Sequence, residues 1–471
     1  MIASEYSMGS GNLVNDSYLV VSAAKDPAHE LALTESFRRP DLVLTGNSIS
    51  YPMEGYGGRE LALNNFTGRN VNYPIREKDF VDNVLSGHYS DSEGYVRDED
   101  FPEARNGFLS ELSARVREES DGRSILANTY SNRFGHAFLK DVGAIVVGPS
   151  SELVNEYESK AKSYILASSL GVPVVDGGVT DNLKDANELY NKLRNKYPAV
   201  FMSSALGLGG GEETLKLSGR NVEGFSGGAP YIMTGWIDKL GSPSSQMLIG
   251  KDQVIYLGMG DQIIEDGVKY GGNLFPSILP EDVQDKIRSN SLKIAESMRD
   301  SGYRGFTGMD FMVDRKGEVY FSEINPRKTR QTSVFVGHLN SYKPSDHPSF
   351  TELEILASLN QPWGKLSPVD EWVPKNEMHW GTKVYSVDGG ILINKDINPD
   401  YTDNSIFADF PSDGRSTVLN FPGNGSFLPD FGKDYSLVRI VATGSNRDEV
   451  LSGLEREVSR IEGAYSIANR G

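Results

Sequence analysis

The chain has 471 residues, of which 65 are acidic and 47 basic, so its formal net charge is −18. Ordinary apolar and aromatic fractions indicate a globular protein of about three domains, and they exclude a disordered or fibrous chain. A surface of this charge repels phosphate backbones, which disfavours nucleic acid as a partner.

The absence of cysteine from the sequence removes several kinds of chemistry at once. Disulfides, thiolate metal sites and a cysteine nucleophile are excluded, and a reducing compartment is favoured. No window is long enough for a membrane span, and the N-terminal apolar stretch "YLVV" is too short for a signal peptide. These features predict a soluble cytoplasmic protein with no membrane partner; the oligomeric state stays open, a homo-oligomer included.

The first half of the chain alternates strand and helix patterns. Short apolar runs before residue 140 predict a small α/β domain whose strand order cannot be read. After the strand "AIVVG", Pro149 and the serines that follow open a single predicted helix that Gly171 ends. Its apolar residues recur at helical spacing at Leu153, Tyr157, Ala161 and Ile165. The strand "VPVVDGG", a helix over 181–197, and a strand–glycine loop–strand unit over 198–218 follow.

The second half begins with a predicted helix over 280–302, and its apolar stripe is Val283, Ile287, Ile294 and Met298. A hairpin follows, and then residues 360–377, which are rich in proline and predict a linker. The C-terminal part contains alternating strands and ends in a helix from about Arg447 to Ile461. The apolar face of that helix is Val450, Leu454, Val458 and Ile461.

The hairpin at residues 308–327, "GMDFMVDRKGEVYFSEINPR", contains an apparent conflict. A two-residue turn at Lys316–Gly317 pairs Val313 with Tyr320 and Asp310 with Glu323. This register puts Met309, Phe311 and Val313 on a core face with Tyr320 and Ile324. Like charges directly opposite each other destabilise a strand pair, so the two carboxylates need an explanation.

A divalent cation supplies that explanation. Asn325 follows Glu323 on the same face, so three oxygen-bearing side chains converge, and Mg²⁺ prefers such ligands together with waters and nucleotide phosphates. The alternative, a solvated acidic face, fits less well because apolar Met312 and Phe321 are predicted on that face. Next along the chain, Arg327, Lys328 and Arg330 suit an anionic ligand, although a charge run can also be plain solvated surface.

Two further patterns are weaker. The loop "ALGLGGGEE" matches neither a Walker loop nor a dinucleotide fingerprint. Its bare backbone amides suit a lid over phosphates, and a floppy hairpin explains the glycines equally well. The six histidines show no metal-ligand spacing, which disfavours zinc hydrolysis, and His338 is interpreted as a surface residue.

Taken together, the motifs resemble the ATP-grasp superfamily over residues 140–335. They are "GPS" with a helical Lys160, then "GVPVV", the glycine hairpin, "IMTGWIDK", "YGGNLFP" and "MDFMVD…YFSEINPR". The resemblance implies an α/β (mixed α+β) ATP-grasp fold. It divides the chain into an N-terminal pre-ATP-grasp domain (1–140), a subdomain with the glycine lid (141–230), a subdomain with the metal site (231–365) and a C-terminal domain (376–471).

The resemblance also implies roles for individual residues. Asp310, Glu323 and Asn325 would bind Mg²⁺, with Mn²⁺ as an alternative ion, and Arg327 would stabilise the transferring phosphoryl group. The nucleotide would be bound by Lys160, by the lid glycines Gly209, Gly210 and Gly211, and by a hinge that includes Thr234, Trp236 and Ile237. Ser203 stands where the family has a lysine, which Lys216 would replace, and Thr234-Gly235 stands where the family has hinge glutamates. Lys328 and Arg330 would contact substrate.

The function implied is ATP-dependent ligation of a carboxylate to an amine through an acyl phosphate, giving ADP and phosphate. The substrates would be small molecules, namely amino acids or peptides. The long N-terminal region and the separate C-terminal piece resemble pheganomycin-type peptide ligases of natural-product assembly. No biotin-carrying segment of the Met-Lys-Met type occurs in this sequence. Two alternatives stay open: another ATP-grasp enzyme, such as a carboxylase or a nucleotide-precursor ligase, and a nucleotide-binding module without catalysis.

Overall fold

The computed structural model describes residues 18–23, 42–44, 117, 122, 124–129, 142–204, 214–218, 222, 225, 229–265, 269–373, 379–387, 391–395, 397, 414–419, 427–428 and 435–467. Helices and sheets are mixed throughout these residues, which confirms the predicted fold class. None of the helices within the described ranges combines the length and the apolar character needed to cross a membrane.

The N-terminal region forms a four-stranded parallel sheet in the order β2-β1-β3-β4. Its strands are β1 (Tyr18–Ala23), β2 (Leu42–Leu44), β3 (Ser124–Thr129) and β4 (Ile145–Val147). Two of the short apolar runs in the sequence, "DLVLTG" and "RSILANTY", therefore supply the strands on either side of β1.

The helix predicted after β4 is wrong in one respect, because it is two helices. Helix α1 (Ser151–Glu158) ends at Ser159, whose extended backbone has φ −64° and ψ 111°, and α2 (Lys160–Ser169) begins directly afterwards. The Ser159 hydroxyl accepts a hydrogen bond from the Lys162 amide and so caps the second helix. The predicted apolar stripe continues past the break to Ala161, which is 4% exposed, and fails at Ile165, which is 56% exposed.

A small antiparallel sheet follows, in the order β5-β8-β6-β7. Its strands are β5 (Gly177–Thr180), β6 (Val200–Ser204), β7 (Thr214–Leu217) and β8 (Tyr231–Gly235). Helix α3 (Leu183–Leu193) covers one face, where Tyr190 packs in one core with Met202 and Met233. Because side chains alternate along a strand, Thr234 and Lys216 lie on the opposite face.

The largest sheet has nine strands in the order β14-β13-β10-β11-β12-β15-β19-β17, with β9 also paired to β13. These strands are β9 (Lys239–Gly241), β10 (Pro243–Ile249), β11 (Val254–Glu265), β12 (Lys269–Phe275), β13 (Gly305–Asp314), β14 (Val319–Asn325), β15 (His379–Val387), β17 (Ser416–Leu419) and β19 (Tyr435–Gly444). A separate three-stranded sheet contains β16 (Ile391–Ile393), β18 (Phe427–Leu428) and β20 (Tyr465–Ile467).

Helices cover both faces of the large sheet. One face packs against α4 (Glu281–Asp300), whose predicted stripe of Val283, Ile287, Ile294 and Met298 is buried. The other face packs against α5 (Thr332–Tyr342) and α6 (Phe350–Ser358), and α7 (Arg447–Glu462) covers the C-terminal strands. The predicted α4 and α7 are therefore confirmed.

The proline-rich stretch predicted as a linker packs against the protein where the structure describes it. Trp363 is 1% exposed, and its indole nitrogen donates to the Leu353 carbonyl at 2.8 Å. Beyond this stretch, β15 pairs with β12, so the C-terminal part continues the sheet that contains the hairpin. The division into four domains stays a prediction.

The exposure of Ile165, which lies in α2 after the helix break, can be tested by comparing it with a buried isoleucine. Ile294→Ala in α4 should lower the free energy of unfolding by about 2–5 kcal/mol, because it leaves a cavity at a fully buried position. The same change at Ile165 removes an exposed side chain and should change that free energy by less than about 0.5 kcal/mol. Urea denaturation of both variants measures the difference. Equal losses would show that Ile165 is packed, as a single helix predicts.

Candidate active site

The hairpin of β13 and β14 brings Asp310 opposite Glu323, which confirms this predicted pair. The turn, however, has three residues, and the Gly317 amide donates to the Asp314 carbonyl at 3.0 Å. Gly317 has a φ of +80°, which suits the last position of such a turn. The longer turn shifts the register by one residue, and a bulge at Ser322 shifts it back before Glu323. The longer turn and the bulge shift the register in opposite directions, so Asp310 still pairs with Glu323 as predicted.

The pairing between the turn and the bulge differs from the prediction, which was wrong there. Val313 pairs with Val319 and not with Tyr320, and Phe311 pairs with Phe321. The Phe311 and Phe321 rings meet edge to face, with centroids 5.8 Å apart, and both are buried in the core under α4. Phe321 therefore lies on the core face and not beside the carboxylates.

Asp310 is the most perturbed acid of the site. It is 7% exposed, its Oδ2 accepts from the Asn325 amide at 3.0 Å, and its Oδ1 is buried without a hydrogen-bond partner. Burial, followed by the charge of Glu323, raises the pKa of Asp310 to about 7, although hydrogen bonds from neighbouring side chains counteract part of the rise. A buried carboxylate oxygen with no partner fits a cation ligand.

Residues that sequence reasoning missed support Asp310 from the neighbouring strands. Ser244 of β10 lies directly opposite Asp310, and hydrogen bonds from Ser244 and Gln262 lower its pKa. The Gln331 side chain donates to the Ser244 hydroxyl at 2.8 Å. The Ser244 hydroxyl accepts this hydrogen bond, so its own proton is free to be donated. The Asp310 carboxylate is an acceptor within the same group of side chains. Only the pairing of β10 with β13 could have revealed this relay.

The break between α1 and α2 sends two opposite charges to the hairpin. Lys160, the first residue of α2, lies 3.6 Å from Glu323, and Glu158, the last residue of α1, lies 3.3 Å from Arg327. Arg327 also donates to the Asn325 side-chain oxygen at 3.1 Å. A continuous chain of contacts therefore joins the helix break to the carboxylate pair.

The three cations after the hairpin have different surroundings. Lys328 is 6% exposed and forms an ion pair of 2.8 Å with Glu354 of α6, and its expected contact with substrate stays a prediction. Its neighbour Arg330 is half-buried and lies over the ring of Tyr270, 5.9 Å from the centroid.

His338 corrects the interpretation of the histidines. It is 2% exposed, accepts from the Trp380 indole at 3.3 Å, and packs against the ring of Phe275. Burial lowers the pKa of His338 to about 3, so it stays neutral at physiological pH. The surface assignment is therefore wrong, because α5 buries this side chain against the large sheet.

The expected nucleotide-binding residues lie on the small sheet. Thr234 is buried at the end of β8, and Trp236 and Ile237 follow it half-buried. The Lys216 ammonium lies 3.9 Å from the centroid of the Trp236 ring, so two of the predicted contacts meet. Ser203 is 1% exposed. Gly209, Gly210 and Gly211 lie outside the described residues.

The donor set suits a hard cation. Within the described ranges, no group of three or more His, Cys, Asp or Glu side chains lies close enough to hold a metal. The candidate site accordingly has two carboxylates and the Asn325 amide, which leaves positions for water and phosphate oxygens as Mg²⁺ requires. The buried, unpartnered Asp310 Oδ1 supports the fit.

The raised pKa of Asp310 predicts a pH-dependent cost to stability when no metal is present. In the unfolded chain this carboxyl ionises near pH 4, whereas in the folded protein it ionises near pH 7, so stability falls as pH rises between these values. Asp310→Asn should therefore stabilise the protein in EDTA at pH 8 by at most about 4 kcal/mol, and by less than half as much at pH 5.

Urea denaturation of the wild type and Asp310→Asn at both pH values measures this gain. The control is Asp238→Asn, because Asp238 is an exposed partner of Arg315 and should change stability by at most about 1 kcal/mol. A gain for Asp310→Asn that is the same at pH 5 and pH 8 would contradict the raised pKa.

Comparisons with known proteins agree with this geometry. The family model of the ATP-grasp domain matches residues 189–331. Among curated proteins, the chain is 28% identical over 205 residues to pyruvate carboxylase of Pichia angusta, an alignment that covers 40% of this chain and 17% of the relative. It is 25% identical over 199 residues to the [butirosin acyl-carrier protein]–L-glutamate ligase of Niallia circulans, covering 40% of this chain and 47% of that protein. The chain thus spans less than half the length of these two relatives.

Solved structures match over almost the whole chain. Biotin carboxylase of Campylobacter jejuni, in a complex with β,γ-ATP, has a TM-score of 0.62 at 16% identity and covers 96% of this chain and 92% of its own. N5-carboxyaminoimidazole ribonucleotide synthetase of Thermus thermophilus has a TM-score of 0.53 at 14% identity, with 94% and 98% covered. The family model therefore identifies an ATP-grasp domain within residues 189–331, and the solved structures show a shared fold over almost the whole chain.

Proposed function

We propose that the protein is an ATP-dependent ligase that joins a carboxylate to an amine through an acyl phosphate and releases ADP and phosphate. The observation that carries the proposal is the convergence of Asp310, Glu323 and Asn325 with Arg327 and Lys160. Binding a nucleotide phosphate needs cations, and binding a divalent ion needs oxygen ligands. Both sets lie along one contact chain in this site.

In this proposal Asp310, Glu323 and Asn325 hold Mg²⁺, and Mn²⁺ would fit the same oxygen ligands. When bound, the ion would neutralise charge on the ATP phosphates. Ser244 and Gln331 hold the Asp310 carboxylate through the relay described above. Lys160 can exchange its contact with Glu323 for a phosphate oxygen, because the ion pair is partly exposed and weak at 3.6 Å.

Arg327 is the proposed catalytic residue. Its contacts with Glu158 and Asn325 fix the guanidinium beside the carboxylate pair, where it can stabilise charge on the transferring phosphoryl group. No protein nucleophile is required, because the substrate carboxylate itself attacks the γ-phosphorus. Catalysis would then consist of positioning and electrostatic stabilisation, as in other phosphoryl transfers.

The adenine would lie near Thr234, Trp236 and Ile237, with Lys216 beside it. The contact between Lys216 and Trp236 supports a shared role, since a lysine that already lies over this ring can reach a ligand bound against it. The lid role of Gly209, Gly210 and Gly211 stays a prediction. A closed lid would protect the acyl phosphate from water.

The relative from Niallia circulans is named as a ligase of L-glutamate and an acyl-carrier protein, which supports an amino acid as one substrate. A role in natural-product assembly, in the cytoplasm, belongs to the same proposal. The solved biotin carboxylase structures, one of them in complex with bicarbonate, instead motivate the carboxylase alternative. Phosphate release from MgATP decides between them: the ligase requires stimulation by a carboxylate together with an amine, whereas a carboxylase requires bicarbonate and free biotin.

The carboxylate pair provides the main test of the proposed chemistry. Glu323→Gln should lower the rate of MgATP-dependent ligation by at least about 100-fold while the fold stays intact, because the amide removes a charged ligand of the ion. The rate is measured as amide product and ADP formed per unit time, and circular dichroism checks the fold.

The matched control is Glu318→Gln in the same hairpin. Glu318 is exposed next to the turn, so its loss of charge should leave the rate within about twofold. A Glu323→Gln rate close to that of the wild type would remove the metal role of Glu323.

A further inference from the structure

Tyr270 of β12 lies between two hydrogen-bond donors outside the carboxylate pair. Its hydroxyl hydrogen-bonds to the Asn273 side-chain oxygen, and the guanidinium carbon of Arg330 lies 5.9 Å from its ring centroid. Arg330 and Asn273 are distant in sequence, and both contact the same aromatic side chain. This group of Tyr270, Asn273 and Arg330 is referred to below as the Tyr270 cluster.

Asn273 has an unused donor in the interior of the protein. It is 2% exposed, and its Nδ2 is buried without a hydrogen-bond partner. The Asn273 Oδ1 accepts from the Tyr270 hydroxyl, and the side-chain nitrogen Nδ2 keeps both of its protons available as donors. Leaving such a group unsatisfied costs about 1–3 kcal/mol. The cost is explained if a ligand supplies the acceptor.

The backbone fixes Asn273 in this place. The main-chain amide of Asn273 donates to the Thr382 hydroxyl of β15 at 3.2 Å. The preceding Gly272 has a φ of +150°, and a Cβ there would lie 1.9 Å from the Thr382 carbonyl oxygen. Only glycine allows β12 to approach β15 so closely, and the main chain at Asn273 is therefore held against β15.

Arg330 differs from the cations that precede it. Arg327 pairs with Glu158 and Lys328 pairs with Glu354. Among the described residues, no carboxylate lies within 4.0 Å of the Arg330 guanidinium. A half-buried arginine and a buried amide donor on the same tyrosine together present a positive charge and N–H groups, and a carboxylate is the group that satisfies both.

The Tyr270 cluster lies close to the reacting centre but is separate from it. Asn273 pairs with Gln262 of β11, whose side chain hydrogen-bonds to Asp310. Gln331, next to Arg330, contacts Ser244 opposite Asp310. A carboxylate bound by the Tyr270 cluster would therefore lie beside the reacting centre. It would be a different carboxylate from the one that is phosphorylated next to Arg327 and the ion.

We propose that the Tyr270 cluster binds the carboxylate of the amine substrate, which makes that substrate a free amino acid or a peptide with a free C-terminus. The inference rests on the proposed function. The amine nitrogen attacks the acyl carbon, the C–N bond forms, the bond from that carbon to the phosphate oxygen breaks, phosphate leaves with the electron pair, and the nitrogen loses a proton. Anchoring the far end of the amine substrate orients its nitrogen for this attack.

Saturation-transfer NMR on the MgADP-loaded protein tests the inference. The probes are a pool of amino acids and dipeptides and the same compounds as C-terminal amides. We expect members of the free-acid pool to bind and their amides to bind at least about tenfold more weakly, the loss that a charged hydrogen bond predicts. Arg330→Gln and Asn273→Leu should each weaken the acids to a similar extent without weakening the amides further.

The matched control is Arg288→Gln. Arg288 also lies over a tyrosine, with its guanidinium carbon 5.1 Å from the Tyr256 ring centroid, but it pairs with Asp370 on the outer side of α4. It should leave acid binding unchanged. Equal binding of acids and amides, absence of any acid binding, or undiminished acid binding by Arg330→Gln would overturn the inference.

A separate measurement distinguishes failure of the inference from failure of the proposed function. Calorimetric titration with MgADP, without any amine, reports the nucleotide site alone. If the wild type does not bind MgADP, the proposed ligase function is contradicted, and the inference about the Tyr270 cluster is contradicted with it. Normal MgADP binding without discrimination between acids and amides would count against the Tyr270 cluster only.

Discussion

The close approach of Asp310 and Glu323 across two strands is the constraint on which the rest of the site depends. The two carboxylates repel each other, and Asp310 is buried, so the folded protein holds an acid that resists ionisation. Every neighbouring feature compensates for this cost: the Asn325 amide, the Ser244 relay and the Lys160 ammonium all reduce negative charge or donate a proton. These contacts are consistent with the proposal that the site binds a cation and a polyanion together.

The helix break is the second element of this arrangement. A continuous helix would carry Glu158 and Lys160 around its axis to different sides, since neighbouring residues differ by 100° in direction. The extended Ser159 instead lets the last residue of one helix and the first of the next reach Arg327 and Glu323. Local irregularity in the backbone thus orders charges that regular structure would separate.

Local patterns predicted much of this molecule. The stripe of α4, the closing helix α7 and the Asp310–Glu323 pair all follow from spacing within a short stretch of sequence. Predictions failed where distant elements decide the outcome. His338 was interpreted as a surface residue, but it is 2% exposed and contacts Trp380 of the C-terminal strands. The three-residue turn and the Ser322 bulge were also missed, because alternation alone does not distinguish a bulged strand from a regular one.

The pairing of β12 with β15 has a consequence for engineering. The main chain at Asn273 is bonded to Thr382, so the C-terminal part of the chain helps to position the Tyr270 cluster, whose residues come from the central part. If that cluster binds substrate as proposed, chimaeras that exchange everything after residue 373 between homologues would change substrate preference along with the transplanted segment. A truncated chain would leave β12 as a bare edge, open to pairing with other molecules.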